Sequence, residues 1–449
     1  MASIGMSREE KRKALILGFG LFGAQLMWMI YNTYMPLFLQ AGSPSFGVRA
    51  GALGFGLSAT VTGFIMTLDN LAAFFIQPLM GPISDRTRTR IGRRMPFILA
   101  FAPLAALAFA LIPIGPLLIP PELNGQIASL GWQFLLTIAS ASLMLVAMAV
   151  WRTPLFALLP DLFPSRLRSK ANAAVNLMSG FGSIIAFVLG GVLYGIFKPL
   201  PFWFGSIITL AAVWLLFRAI KEPREAMDKA EVQGGGLKVL AELRGMPASN
   251  ASSLALLLLA IFFYMFGYNS IETFFSSFAV SSLGLEPSQA AYLSAIMAIS
   301  FMIFAVPSAA LAGRIGRKKT IGAGLIIFAL SLFAIFALRS AGAAAVLLVV
   351  VGGAWALINI NGLPMVLDSS SSGKLMGTYS GLYFIAATLA GTLGPIVNGA
   401  IIDLAGRNYA VIFIVCPCFF LAAFLCLQGV RTGEASDMTA ENDEPGAGR

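Results

Sequence analysis

Histidine is absent from the whole chain, and charge is scarce: Asp, Glu, Lys and Arg together make up 11% of 449 residues, against 58% hydrophobic. Without histidine there is no imidazole acid–base chemistry, no His-ligated metal and no Ser-His-Asp triad. No other nucleophile constellation takes their place, so an enzyme is not expected. Cysteine is nearly absent too. Cys416, Cys418 and Cys426 all fall in the last apolar segment; with no cluster of acids beside them, they read as small buried hydrophobes and not as a metal site. No metal or organic cofactor is expected. Charge this sparse also excludes a soluble globule, because so much apolar surface has nowhere to hide in a chain of this length. The composition is that of an all-α polytopic membrane protein.

The charge that is present is +10 net, which raises the question of a nucleic-acid partner. Its distribution answers it. Basic residues group at 8–13, 86–94, 166–170, 218–244 and 314–319, on alternate loops, while the intervening loops hold only Arg49, Lys198, Arg339 and Arg407. That asymmetry is positive-inside orientation and not a nucleic-acid groove. It predicts a multi-pass protein of the cell membrane (the inner one in a Gram-negative cell) with both termini cytoplasmic. The basic stretch before residue 14 imitates a signal peptide, but the apolar run that follows is too long, and it reads as an uncleaved first span.

Apolar runs of spanning length occur near 14–40, 54–81, 96–118, 132–160, 171–196 and 201–219. A second set lies near 252–280, 288–312, 320–338, 343–366, 375–401 and 408–429. Twelve transmembrane helices as two pseudo-symmetric six-helix bundles are therefore predicted. The bundles are expected over 1–219 and 251–430, joined by a cytoplasmic connector at 220–250 and followed by a disordered acidic tail at 431–449. The halves echo each other: Trp151-Arg152 through Pro160-Asp161 matches Trp355 through Pro364 and Asp368, and Gly92-Arg93-Arg94 matches Gly316-Arg317-Lys318. Repeated halves with polar groups at mid-depth favour alternating access. Gly18-Phe19-Gly20-Leu21-Phe22-Gly23 fits a dinucleotide fingerprint, but no strand precedes it; close helix packing accounts for these glycines.

Three charges stand inside predicted spans: Asp69, Arg152 and Glu272. Asp69 precedes Gly81 by about twelve residues, so at ~1.5 Å per residue it lies roughly 18 Å along its helix. In a hydrocarbon core ~30 Å thick that is near the middle. An acid at that depth is a functional hypothesis by default. Two acids and one base leave the set short of one positive charge, which one H⁺ or Na⁺ would supply. Burial favours the protonated acid and a nearby arginine the ionised one, so a substrate competing for Arg152 could trigger protonation. The alternative is an Asp69 permanently paired with Arg152 or an asparagine, holding helices in register.

Glu272 shares a helical face with Tyr268 and Tyr264, next to Asn269. Carboxylates accept bonds from sugar hydroxyls and aromatic rings cover apolar sugar faces; equally, Glu272 could sit hydrated at the outer end of its span. Gln25, Trp28 and Asn32 share a face of the first span, and Trp355, Asn359 and Asn361 lie close on the tenth, with Tyr383 on the eleventh. These are candidate substrate contacts, with interhelical hydrogen bonding as the plainer role for the amides.

Gly81-x-x-x-Asp85-Arg86 followed by Gly92-Arg93-Arg94 resembles the loop signature of the major facilitator superfamily, lengthened by Thr87-Arg88-Thr89-Arg90. The longer form, preceded by Gln77-Pro78 and followed by Pro96-Phe97, is similar to that of the sucrose-transporter and glycoside–pentoside–hexuronide:cation symporter branch. Pro160-Asp161, Gly267-Tyr268-Asn269 with Glu272, and Gly377-Thr378-Tyr379 with Tyr383 belong to the same likeness. The resemblance implies spans one, four, seven and ten around a central cavity. It also implies a cytoplasmic gate drawing on Gly81, Asp85, Arg86, Gly92, Arg93, Arg94, Asp161 and Asp368, with loop arginines near anionic lipid. Gln77 stands before Pro78 where melibiose-type members carry an acid, which favours H⁺ over Na⁺. The expected function is proton-coupled symport of a small glycoside such as sucrose or maltose by a monomer in contact with membrane lipids. Alternatives are sodium-coupled symport, proton-antiporting export of small organic molecules and, more distantly, a transporter-like sensor.

Overall fold

The computed structural model describes residues 6–43, 53–222, 248–369 and 376–434. Among these, twelve helices are long and apolar enough to cross a membrane. The first six spans are Arg8–Gln40, Ala59–Arg86, Met95–Leu117, Gly131–Leu162, Lys170–Ile196 and Leu200–Ala219. The second six are Asn250–Leu283, Pro287–Ile315, Arg317–Leu338, Ala341–Asp368, Thr378–Leu404 and Tyr409–Gln428. The chain divides into two compact units, Met1–Val232 with Ala279–Ala295, and Gln233–Phe278 with Ile296–Arg449. Most of the connector expected at 220–250, residues 223–247, lies outside the described residues, as do residues 435–449 of the expected tail. The start of that tail is bonded: the Arg431 and Thr432 amides donate to Ser253 Oγ at 2.9 and 3.2 Å.

In the first unit, the first span starts at a capping box. Ser7 Oγ accepts from the Glu10 amide at 3.2 Å, and Glu10 Oε2 accepts from the Ser7 amide at 2.7 Å, satisfying two N–H groups that the helix cannot. The span then packs on the fourth, fifth and sixth spans, and its three glycines show why. A Cβ on Gly18 would stand 2.9 Å from Met178 Cγ, one on Gly20 3.2 Å from Leu155 Cδ1, and one on Gly23 3.1 Å from Thr209 Cα. Each glycine thus meets a different helix. Thr209 Oγ1 also donates to Gly23 O at 3.2 Å, the interhelical bonding that small residues permit in a membrane.

The second span is not one continuous helix. It runs as Ala59–Met66 and Leu68–Arg86, interrupted at Thr67 (φ −86°, ψ −5°). The Thr67 hydroxyl donates to Phe64 O at 2.8 Å, closing the first segment. Leu68–Arg86 then starts afresh with Asp69 in its first turn.

The internal repeat is visible in the packing of each unit. The third span lies on the fourth and sixth in the first unit, and the ninth lies on the tenth and twelfth in the second. A Cβ on Gly324 of the ninth span would stand 2.9 Å from Ala354 O of the tenth, so this helix pair is also seated through a glycine.

Candidate functional site

In the first unit, Asp69 is 6% exposed, and its Oδ1 accepts from the Asn70 amide at 2.5 Å. A carboxylate in the first turn of a helical segment meets the positive end of the segment's dipole. Asp69, Ala73 and Gln77 follow at i, i+4 and i+8, so the second span presents them together to one cavity of about 190 Å³. Leu145, Met148, Ala149 and Arg152 supply the wall from the fourth span, and Trp28 that from the first.

The Arg152 guanidinium stands 5.6 Å from the ring centre of Trp28 and 5.6 Å from that of Phe156. Both lie within the ~6 Å reach of a cation–π contact. Asp69 acts on Arg152 electrostatically, and Asp69 is the one carboxylate among the cavity's lining residues. Asp69, Arg152 and Trp28 therefore meet in one chamber inside one unit. Gln25 does not line it; its Nε2 donates to Ser183 Oγ of the fifth span at 3.2 Å. Asn32 is half-buried on the first span.

Glu272 belongs to the second unit, within an aromatic group. The Tyr268 ring stacks on Trp355 at 3.7 Å and 3°, while Tyr264 meets the same indole edge-on at 6.1 Å and 75°. Glu272 is half-buried one turn beyond Tyr268 and acts on it electrostatically. Tyr264 and Tyr383 converge on Gly362, where a Cβ would lie 2.6 Å from one and 3.9 Å from the other. The amides are engaged locally. Asn361 donates to Ser308 Oγ (3.0 Å) and Leu357 O (2.9 Å), and Asn269 to Met265 O (2.7 Å). Asn359 is half-buried beside them.

The arginine-rich end of the first unit holds a separate charged cluster. Asp161 takes Arg93 on one oxygen (2.5 Å) and Arg94 on the other (3.2 Å), and Arg94 also reaches Asp85 at 2.5 Å. Glu222, just past the sixth span, accepts the backbone amides of Arg93 and of Arg94, the latter at 2.9 Å. Gly92 makes this possible: its φ is +117°, and a side chain there would collide with the Glu222 carboxyl. Burial pushes the Glu222 carboxyl above the ordinary carboxylate range, against the downward pull of the two amide bonds. Gly81 has open space around it and Arg86 is exposed, so neither joins the cluster directly.

The second unit repeats this device. Arg317 pairs with Asp368, and Glu434, just past the twelfth span, accepts the amides of Arg317 (2.7 Å) and Lys318 (3.1 Å). Sequence reasoning passed over both glutamates. The signal was their matched place, each a few residues beyond the last helix of its half.

A family model for MFS/sugar transport proteins matches residues 16–411. The chain belongs to that family. Among relatives, the general alpha-glucoside permease of Schizosaccharomyces pombe is 29% identical over 189 residues, covering 42% of this chain and 32% of the permease. The human proton-associated sugar transporter A is 27% identical over 40% of this chain and 22% of its own length. The chain thus matches a third or less of these two relatives. Multidrug resistance protein 2 of Bacillus subtilis is 26% identical over 78% of this chain and 81% of its own. The solved structure of the nucleoside transporter NupG superposes with a TM-score of 0.70 over 94% of this chain and all of its own, at 14% identity. That likeness is one of fold.

Proposed function

We propose that this family member is a secondary active transporter that carries a small glycoside, a disaccharide such as sucrose or maltose, in symport with one proton by alternating access. The observation that carries the proposal is the chamber in which a single buried carboxylate, Asp69, shares space with Arg152, Trp28 and two amides. The chemistry suits a sugar: a ring face for its apolar side, and donors and acceptors for its hydroxyls. The Tyr268–Trp355 stack and Glu272 offer the same pairing of ring and acid in the second unit. Substrate hydroxyls that engage Arg152 draw positive potential away from Asp69, which then takes a proton. One carboxylate suffices for a proton, and Gln77 in the chamber carries no charge to help hold Na⁺. The names of two relatives, an alpha-glucoside permease and a proton-associated sugar transporter, support the same reading.

In this reading the Arg93–Arg94–Asp161–Asp85 cluster and its Arg317–Asp368 counterpart lie at the cytoplasmic ends and steady the gate. Both termini are cytoplasmic, the protein works as a monomer in contact with lipid, and neither a metal nor an organic cofactor takes part. Vesicle uptake with pH and sodium gradients imposed separately tests it. An inward proton gradient should drive accumulation of an α-glucoside. Asp69→Asn should abolish accumulation while leaving counterflow exchange. Accumulation by Asp69→Asn, or driven by sodium alone, overturns the proton assignment. A second reading, proton-antiporting export, rests on the long match to a multidrug resistance protein; efflux of a lipophilic dye from acid-loaded vesicles, without sugar uptake, would establish it instead.

A further inference from the structure

The fifth and eighth spans come from different halves of the repeat, yet the start of the eighth lies on the end of the fifth. The stretch Ala279–Ala295, which closes the seventh span and opens the eighth, packs into the first unit, whereas the eighth span from Ile296 onward belongs to the second. Gly191 is one seat of that contact: a Cβ there would stand 2.5 Å from Tyr292 Cε1 and 3.0 Å from Ser288 O. One turn further along, a Cβ on Gly195 would lie 3.9 Å from Ser288 Cβ. Two glycines at i and i+4 thus give the fifth span a bare track for a close helix approach. Opposite charges flank the seam. Lys198 stands in the loop after the fifth span and Glu286 in the loop before the eighth, and Glu286 acts on Lys198 electrostatically. The seam lies at the helix ends remote from the Arg93–Arg94–Asp161 cluster.

Away from the seam, each helix is tied to its own neighbours. Tyr194 of the fifth span stacks on Tyr34 of the first, with ring centres 4.3 Å apart and 4° between planes, and Phe38 and Phe202 close around the pair. Ring pairs of this kind add to the burial of their surfaces. The eighth span is bonded instead to the tenth: Ser300 Oγ donates to Val349 O at 2.5 Å and Ser308 Oγ to Ala356 O at 2.9 Å. Across the seam a serine and a tyrosine edge rest on glycine. A glycine face buries little apolar surface, so parting it costs little. We propose that this seam is the carrier's outer gate, shut in this structure, and that the bare backbone at Gly191 and Gly195 lets it shut closely and still release. Alternating access requires one end of a two-half carrier to part while the other stays shut, and the inference rests on that reading of the function.

The test is a disulfide across the seam in the reconstituted full-length protein. The 3.9 Å between the Gly195 and Ser288 Cβ positions falls in the range of about 3.5–4.5 Å that a disulfide spans. Gly195→Cys combined with Ser288→Cys should therefore link under a mild oxidant, and neither single variant should. Mass spectrometry of the joined peptides verifies the link. Glucoside counterflow should be lost on oxidation and return on reduction of the same preparation. Linked protein that exchanges as fast as its reduced form overturns the inference, and so does a cysteine pair that does not link. Gly191→Leu approaches the seam from the other direction, because its side chain would displace Tyr292 and hold the seam ajar. An impermeant maleimide, added to right-side-out vesicles, should then label Ser288→Cys several-fold faster than in the Gly191 parent, with the unfolding midpoint as the check on folding. That reading needs no transport, so it decides the matter if the reduced cysteine pair exchanges poorly; unchanged labelling overturns the inference. Failure of alternating access itself looks different: the parent protein would show no counterflow although the disulfide still formed.

Discussion

Arg152 is held by two ring faces and shares its chamber with one acid. That geometry uses the planarity of a guanidinium, which a lysine ammonium lacks. Arg152→Lys should therefore keep the charge yet lose stacking on Trp28 and Phe156, about 1–2 kcal/mol for a largely desolvated pair. That stacking exists without substrate, so its loss should lower the thermal unfolding midpoint by a few degrees, while an ammonium in place of the donor fork should raise the KM for glucoside several-fold. Initial-rate uptake and a melting curve on the same preparation check both halves of that statement. Asp69 and Arg152 were legible in the sequence because charge inside an apolar run is conspicuous. The hydroxyls of Tyr31 and Tyr34 on the first span, unpartnered among the described residues, were not, since a tyrosine in a membrane helix looks ordinary until its hydroxyl is found buried. Gln25 and Asn361 illustrate the converse: amides in spans announce polarity, and here that polarity goes to neighbouring helices.

Between neighbouring elements, the clearest device is a glutamate beyond the last helix of a half accepting the backbone amides of a basic pair. Charge-assisted bonds of this kind are stronger than neutral ones. Burial raises Glu222, so it takes a proton at a higher pH than an ordinary glutamate. With the folded value above the unfolded one, the linked stability is present at low pH and is lost as pH rises through the folded value. The wild-type unfolding midpoint should therefore gain on that of Glu222→Gln as pH falls. Locally the sign is opposite: protonation weakens the bonds to the Arg93 and Arg94 amides. Their hydrogen exchange, corrected for intrinsic rate, should quicken as pH falls through the upper carboxylate range, and Glu222→Gln should show a flat profile. The span boundaries were readable from apolar runs, as were the three glycines of the first span as packing positions. The interruption at Thr67 was not, because neither glycine nor proline marks it and the apolar run continues through it.

At the scale of the whole molecule, twelve spans and a twofold repeat follow from hydropathy and a few recurring residues, while the choice of cargo does not. Charge arithmetic nonetheless constrains the carrier as a unit. If one proton enters with one uncharged glycoside, each cycle moves one positive charge inward, and the membrane potential adds to the pH gradient. One elementary charge across 100 mV is ~2.3 kcal/mol. At ~1.4 kcal/mol per tenfold, that supports an accumulation of roughly 40-fold with no pH gradient at all. Vesicles given an inside-negative potassium diffusion potential, with equal pH on both sides, should therefore concentrate the sugar. Reversing the potential should expel it. Asp69→Asn should respond to neither, because the charge that couples the cycle to the field is the proton Asp69 carries. Sugar movement indifferent to the potential would mean that a second charge travels with the proton, and the one-carboxylate account of the chamber would fail.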